Sequence, residues 1–202
     1  MCGFAGIVSW DEHYPVTPDT LDAMSQAVAH RGPDGEGVYL NNAGPASREK
    51  PQCGLVHRRL AILDPDRRSL QPFDDGSNNR LLVFNGEIYN FHDIRIELSR
   101  LLPRYAWRTT GDTEVLLLAL QTWGMQACEK LNGMFAFAYW DQRAGSLMLG
   151  RDRMGQKPLY YASPGSGGAI AFASELHVFR KVPWFDASID FPSVCDYLKW
   201  GY

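Results

Sequence analysis

The second residue of the chain, Cys2, has the features of a nucleophile that carries its own base. Cysteine is small enough for the initiator methionine to be removed in front of it, which leaves a thiol and a free α-amine on one residue. In peptides both groups titrate close to neutral pH, so neither needs deep burial to exchange a proton there. We therefore predict covalent catalysis by Cys2 with its own amino group as the base. A poorly ordered terminus without a catalytic role is the alternative interpretation.

The stretches around Cys2 and around Asn85 predict the elements that would hold these side chains. The run after Cys2 is short, apolar and rich in glycine, which is typical of a central strand that other backbone approaches closely. Asn85–Gly86 follows a short apolar strand, 81–84. Because Asn-Gly is a strong tight-turn dipeptide, we predict a turn that places a side-chain amide beside a glycine N–H.

The remaining pattern predicts strands, two central helices and then hairpins. Helices are expected after Thr17, Asn90 and Gly111, and the last is apolar enough to be buried. Further strands are expected at 38–40, 53–63, 134–140, 146–150, 157–162 and 169–174. An apolar strand set with buried helices indicates sheets stacked face to face and covered by helices, an α+β layered sandwich.

Composition narrows the classes of function. The chain has 202 residues and a net charge of −3, so no basic field indicates a nucleic-acid or membrane partner. It contains neither a leader-type apolar segment nor a membrane-length one. Its four cysteines are scattered, which argues against a disulfide framework and a metal site. We therefore expect a cytoplasmic protein with no metal.

Eight motifs, in order along nearly the whole chain, resemble the glutaminase domain of the class II glutamine amidotransferases, which are N-terminal nucleophile enzymes. The asparagine synthetase branch is the most similar. The motifs are Cys2–Gly3, His30–Asp34, Arg59–Asp64, Asn85–Asn90, Thr110–Glu114, Gly133–Ala138, Gly150–Tyr161 and Ala173–Leu176. The resemblance implies a four-layer αββα sandwich of the N-terminal nucleophile hydrolase type.

The resemblance also implies a role for each site residue. Cys2 would attack the side-chain amide carbon of glutamine, and water would later hydrolyse the thioester to glutamate. Asn85 and Gly86 would donate hydrogen bonds to the oxyanion, which needs donors fixed in advance where charge develops. We expect His30 and His57 to be structural, because the α-amine already supplies the base, and Arg151–Asp152 to brace a turn as a charge pair.

The other end of glutamine would be held by charged side chains and by backbone. Arg59 would bind the α-carboxylate, because a guanidinium matches a carboxylate with two hydrogen bonds. Asp112, with Glu87 near it, would bind the α-ammonium. The backbone of four consecutive residues would line the same slot: Leu60, Ala61, Ile62 and Leu63.

For domain organisation we expect a glutaminase domain over 1–184 and, over 185–202, the start of a linker to an ATP-dependent synthetase domain that this chain lacks. ATP and Mg²⁺ would bind in that missing domain, and this part of the protein would need no cofactor. The partners would be glutamine, the synthetase domain of the same full-length chain and a second copy in a homodimer. Two alternatives are glutaminase chemistry that feeds another acceptor, such as a surface-sugar carboxylate, and a non-catalytic scaffold.

Overall fold

The computed structural model describes residues 1–41, 44–61, 66–77 and 79–201. Within these ranges no helix is long and apolar enough to cross a membrane. The strands are β1 (Gly3–Ser9), β2 (Gly35–Leu40), β3 (Gln52–Arg59), β4 (Phe73–Asp74), β5 (Arg80–Ile88), β6 (Gly133–Asp141), β7 (Ser146–Arg151), β8 (Tyr160–Ala162) and β9 (Ala169–Ala173). The α-helices are α1 (Pro18–Ala27), α2 (Phe91–Leu101), α3 (Asp112–Trp123), α4 (Ala127–Lys130) and α5 (Phe191–Trp200).

The strand that follows Cys2 lies at the centre of the first of two antiparallel sheets. That sheet has the order β2-β3-β1-β9-β8, and every residue of β1 is buried. A Cβ added at Gly6 would lie 2.7 Å from the carbonyl oxygen of Gly54 on β3, so this position has room for glycine alone. The prediction of a central strand with close backbone neighbours is confirmed. The second sheet has the order β4-β5-β6-β7.

Alternating side chains stack the two sheets and cover their outer faces. Phe4 and Val8 of β1 point into a core shared with Leu81 and Val83 of β5, so the sheets pack face to face. On the outer face of the first sheet, Ala5 and Ile7 contact α1 and the 3₁₀ helix Leu176–Lys181. On the outer face of the second sheet, Leu82 and Phe84 contact α2 and α3. The result is the expected four-layer αββα sandwich.

Helix α3 is buried nearly all round, as its apolar sequence predicts. Its residues from Asp112 to Leu120 are buried, which places the start of the helix inside the molecule rather than at the surface. Helix α1 begins where the sequence predicts, since the Thr17 side chain accepts a hydrogen bond from the backbone N–H of Thr20. The side chains of α5 are exposed, and the domain boundary near 184 stays a prediction.

Two strand predictions were wrong at the residues nearest the site. The strand expected over 53–63 ends at Arg59, Leu60 and Ala61 lie outside it, and Ile62 and Leu63 fall outside the described residues. The strand expected to end at a turn on Asn85–Gly86 instead runs through both residues to Ile88. Gly86 pairs with Phe135 of β6, and a Cβ at Gly86 would lie 2.7 Å from the Cα of Phe135. This glycine therefore allows two strands to approach closely rather than forming a turn.

Candidate active site

Cys2 lies immediately before β1, and its thiol contacts the backbone of Leu60, the residue after Arg59. The backbone N–H of Leu60 donates to Cys2 Sγ at 3.3 Å, and Sγ lies 3.5 Å from the carbonyl oxygen of Leu60. The main chain of Cys2 is fixed as well, because Arg31 Nε donates to its carbonyl oxygen at 2.9 Å. The thiol is therefore positioned at one end of the first sheet by contacts on both sides.

The His30–Asp34 motif fastens the Cys2 end of β1 to the loop after β3. Arg31 forms an ion pair with Glu175 at 2.7 Å while it holds the Cys2 carbonyl. Asp34 accepts a hydrogen bond from the N–H of Ala61 at 2.9 Å, and its own N–H donates to the carbonyl of Arg59 at 2.9 Å. These bonds fix the relative position of the thiol and the Arg59 loop.

A cavity at the ends of β1, β3 and β5 brings most of the predicted site residues together. It is lined by Met1, Cys2, Arg59, Leu60, Ser69, Gln71, Phe84, Asn85, Gly86, Glu87, Gly111, Asp112, Thr113 and Lys157. Seven of the ten predicted site residues are in this set. Ala61 is not among the described residues that line the cavity, and its N–H is directed to Asp34 instead. Ile62 and Leu63 lie outside the described residues.

Asn85 presents a buried amide donor whose hydrogen-bonding capacity is not used by the described part of the chain. The residue is 2% exposed, and its Nδ2 has no hydrogen-bond partner among the residues that the structure describes. A buried amide N–H left unpaired costs about 1–3 kcal/mol, so native proteins keep few of them. Asn85 lines the same cavity as Cys2, which makes Nδ2 available to an acceptor that enters the cavity.

Charged side chains of opposite sign lie in the same cavity. Arg59, at the end of β3, is 7% exposed, and its Nη1 donates to the carbonyl of Asp66 at 3.0 Å. Asp112 begins α3 and accepts a hydrogen bond from the N–H of Ile88 at 3.0 Å. Burial raises the pKa of Asp112 to about 6, and the neighbouring charge of Glu87 adds to the rise, although backbone N–H donors oppose it. A cation bound beside Asp112 would relieve this destabilised carboxylate.

Glu114 holds the segment that leads into Asp112. Its fully buried carboxylate accepts hydrogen bonds from Tyr105 Oη at 2.8 Å, from the N–H of Thr109 at 2.7 Å and from Thr109 Oγ1 at 2.7 Å. It also accepts from the N–H of Arg108 at 3.0 Å. The side chain thus orients the turn in front of α3 although it does not line the cavity.

Replacing Glu114 with alanine should lower the free energy of unfolding by about 3–5 kcal/mol, because it leaves the two buried donors of Thr109 and the half-buried Tyr105 hydroxyl without their acceptor. Chemical denaturation with a linear extrapolation measures this value. The matched control is Glu97→Ala, which removes a half-exposed carboxylate paired with Lys130 and should change stability by less than about 1 kcal/mol. Equal effects of the two substitutions would contradict the assigned role of Glu114.

His57 lies in the core rather than in the cavity. Its Nε2 donates to the carbonyl of Phe84 at 3.1 Å, and burial lowers its pKa to about 4, so the ring is neutral at pH 7. His30 contacts Glu175 at 3.0 Å on the far side of Arg31. Neither histidine is among the described residues that line the cavity, which fits the structural role expected for both.

The expected Arg151–Asp152 charge pair was wrong in kind, because both side chains bond to backbone instead. Arg151 donates to the carbonyl oxygens of Lys157 at 2.8 Å and of Gly155 at 2.6 Å. Asp152 accepts from the N–H groups of Phe135 and Lys157. Although burial would raise the pKa of Asp152, these and other backbone donors hold it below its usual value. The turn between β7 and β8 is therefore tied directly to β6.

Sequence reasoning missed several residues that line the cavity. Ser69 is 6% exposed, and its Oγ has no partner among the described residues. Gln71 accepts the N–H of Phe84 at 2.6 Å, and Lys157 is buried although lysine usually lies at the surface. Lys157 stands inside one of the eight motifs, but nothing in its local sequence signals burial. These positions depend on contacts between distant segments.

The chain matches a known protein family and is similar in sequence to proteins named as asparagine synthetases. Residues 1–202 match the family described as "Glutamine amidotransferase domain". "Asparagine synthetase [glutamine-hydrolyzing] 3" of Bacillus subtilis is 32% identical over 94% of the chain, and a "Putative asparagine synthetase [glutamine-hydrolyzing] 2" of Methanocaldococcus jannaschii is 34% identical over 87%. The chain spans 29% and 34% of the length of these two relatives.

A solved structure supports the fold independently. The glutamine phosphoribosylpyrophosphate amidotransferase of B. subtilis matches with a TM-score of 0.63 and 21% identity. The match covers 89% of this chain and 43% of that one. At this level of identity the likeness concerns the fold alone, and it agrees with the αββα layers described above.

Proposed function

Because the chain belongs to the glutamine amidotransferase domain family, we propose that it hydrolyses glutamine to glutamate and ammonia with Cys2 as the nucleophile. The observation that carries this proposal is the cavity that Cys2 shares with charged groups of both signs and with Asn85 Nδ2, which has no hydrogen-bond partner in the described part of the chain. A nucleophile, an oxyanion donor and two charged recognition groups are the parts that cleavage of an amino-acid side-chain amide requires.

The chemistry proceeds through a thioester. Removal of Met1 frees the α-amine of Cys2, which takes the thiol proton directly or through a water. The sulfur attacks the amide carbon of glutamine, and the oxyanion that forms accepts hydrogen bonds from Asn85 Nδ2 and the Gly86 N–H. The α-ammonium of Cys2 passes this proton to the amide nitrogen, the intermediate collapses with loss of ammonia, and water then hydrolyses the thioester to release glutamate and restore the thiol.

Charged ends of the substrate explain the selectivity for glutamine. Arg59 binds the α-carboxylate, and Asp112, with Glu87 beside it, binds the α-ammonium. The backbone of Leu60 adds polar groups to the same slot. A substrate that lacks either charge leaves one of these buried groups unpaired, so it binds more weakly by several kcal/mol.

This assignment predicts a pH dependence of the KM for glutamine. Since the pKa of Asp112 is about 6, its carboxyl group is increasingly neutral below that pH and cannot pair with an ammonium. KM should rise as the pH falls from 7 to 5. Asp112→Asn should raise KM at pH 7 by about 10–100-fold, the loss of one charged hydrogen bond, and should remove this pH dependence.

Steady-state kinetics between pH 5 and 8 provides the measurement for Asp112. The matched control is Asp22→Asn, which changes an exposed carboxylate on α1 and should follow the unsubstituted protein at each pH. An Asp112→Asn protein whose KM still rises below pH 6 would place the titrating group elsewhere.

For the whole protein we propose an asparagine synthetase, because the relatives matched over most of this chain carry that name and are about three times its length. A C-terminal synthetase domain would then use the ammonia together with ATP and Mg²⁺, in a cytoplasmic protein that forms homodimers. The acceptor would bind in that domain, and the names of the relatives support aspartate rather than a surface-sugar carboxylate. The presence of Cys2, Arg59, Asn85 and Asp112 argues against a non-catalytic scaffold.

Labelling with a diazo-ketone analogue of glutamine tests the proposed function. Intact mass should show loss of one methionine and addition of one equivalent, which peptide mapping assigns to Cys2. Excess glutamine should protect the thiol. The internal control is Cys53, which is fully buried in an apolar environment that raises its pKa well above the usual range. Label on Cys53, Cys128 or the exposed Cys195 instead of Cys2, or on Cys2 without protection by glutamine, would contradict the proposal.

A further inference from the structure

Lys157 is a buried cation whose surroundings do not match a structural role. It is 6% exposed and lines the cavity. Within the described ranges, the one hydrogen bond of its ammonium group is with Met1 Sδ at 3.3 Å, and the group forms no ion pair there. A buried ammonium that lacks a counter-charge is strongly destabilising. Glu87 and Asp112 line the same cavity, but among the described residues no carboxylate lies within ion-pair distance of this ammonium group.

Backbone hydrogen bonds place Lys157 near the reacting atoms. The Asp152 carboxylate accepts the N–H of Lys157 at 3.0 Å and the N–H of Phe135 at 3.2 Å. Phe135 is the residue opposite Gly86 in the ladder between β5 and β6. The ammonium in turn contacts Met1, which is bonded to Cys2. Lys157 is thus connected on one side to the oxyanion strand and on the other to the nucleophile.

The other charged groups of the site serve different ends of the substrate or are already paired. Arg59, Glu87 and Asp112 line the cavity with Lys157 and carry the proposed recognition of the α-carboxylate and α-ammonium. Arg31, which reaches the Cys2 carbonyl, has its charge compensated by an ion pair with Glu175, although its buried Nη2 makes no hydrogen bond within the described residues. Lys157 therefore remains as the cation that can stabilise the negative charge on the Cys2 sulfur and on the oxyanion.

Resting on the proposed function, we propose that Lys157 is a further residue of the reaction centre, whose ammonium stabilises the Cys2 thiolate and the oxyanion once Met1 has been removed. Removal of Met1 takes away the sulfur that the ammonium contacts and leaves the charge facing the new N-terminus.

Two substitutions separate the charge of Lys157 from its packing. Lys157→Met keeps a long, flexible side chain but removes its charge, and Lys157→Arg keeps the positive charge. We expect Lys157→Met to lower the kcat for glutamine hydrolysis by about 100-fold with KM changed less than about threefold, as for loss of one oxyanion-stabilising group. Lys157→Arg should recover most of kcat. A rise in KM at unchanged kcat would move Lys157 to the recognition of glutamine and overturn the inference.

A charge probe at Cys2 tests the inference without glutamine. Iodoacetate is anionic and iodoacetamide is neutral, and both alkylate the thiolate. A nearby positive charge speeds the reaction with iodoacetate, so the rate with iodoacetate divided by the rate with iodoacetamide reports the local charge. With Met1 removed, Lys157→Met should lower this ratio at Cys2 about tenfold, the effect of removing one nearby charge in a partly buried site. Lys157→Arg should keep it. The control is Lys130→Met, which removes a half-exposed lysine paired with Glu97 and should leave the ratio unchanged.

The outcomes distinguish failure of this inference from failure of the proposed function. An unchanged rate ratio in Lys157→Met would overturn the inference, even in a protein that hydrolyses glutamine normally. A protein that releases no ammonia from glutamine but shows the tenfold drop would refute the proposed function while the charge of Lys157 at Cys2 stands. If Lys157→Met does not fold, Lys157→Gln replaces it, because the glutamine amide can still form hydrogen bonds without the charge.

Discussion

Replacing Cys2 with alanine is expected to reduce glutamine hydrolysis by about 10⁵-fold or more, because the thiol forms the covalent bond to the substrate and the thioester cannot form without it. The free energy of unfolding should change by less than about 1 kcal/mol, since the side chain is small and only partly buried at the end of a strand. Coupled detection of released ammonia and chemical denaturation measure the two quantities.

The matched control for Cys2 is Cys128→Ala. Cys128 is also a partly buried free thiol, but burial raises its pKa, and it is not among the described residues that line the cavity. Its substitution should leave kcat unchanged. Protein that retains Met1 should be as inactive as Cys2→Ala, because the amine is then part of a peptide bond. Activity of Cys2→Ala within tenfold of the unsubstituted protein would refute thioester chemistry.

The local pattern of apolar residues was enough to predict the elements whose structure depends mainly on their own sequence. The apolar, glycine-rich run after Cys2 predicted β1, and the uniformly apolar sequence after Asp112 predicted a buried helix. Seven of the ten predicted site residues line one cavity, because each stands at the end of an element or in the strand beside it. The roles of these residues came from the resemblance of the motifs rather than from the pattern of elements.

The failures share a physical cause, which is dependence on distant segments. Asn85–Gly86 favours a turn when it is considered alone, but pairing with β6 keeps it in a strand, and the missing Cβ of Gly86 makes that pairing close. Lys157 is buried because Asp152 ties its turn to β6. The Ala61 N–H is directed to Asp34, which lies 27 residues earlier in the chain. A single sequence contains no local signal for any of these contacts.

Asn85→Ala should lower kcat by about 10²–10³-fold, because it removes one of two donors to the oxyanion and leaves the Gly86 N–H in place. KM should change little, since the charged groups at the other end of glutamine are intact. The protein should not lose much stability, because Asn85 Nδ2 has no partner among the described residues and its removal breaks no hydrogen bond that they make. Steady-state kinetics and denaturation measure both effects.

Asn41→Ala is the matched control for Asn85→Ala, because it should lower stability and leave kcat unchanged. Asn41 is also buried, but its amide donates to the carbonyl of Pro51 at 2.9 Å and accepts the N–H of Cys53 at 2.7 Å. Its loss should cost about 1–3 kcal/mol of stability and leave kcat unchanged. The two buried amides therefore differ in one respect. The amide of Asn41 already makes its hydrogen bonds and supports the fold, whereas Nδ2 of Asn85 has no partner among the described residues and can bind the oxyanion. If Asn85→Ala instead lowered stability and spared kcat, Asn85 would not be the oxyanion donor.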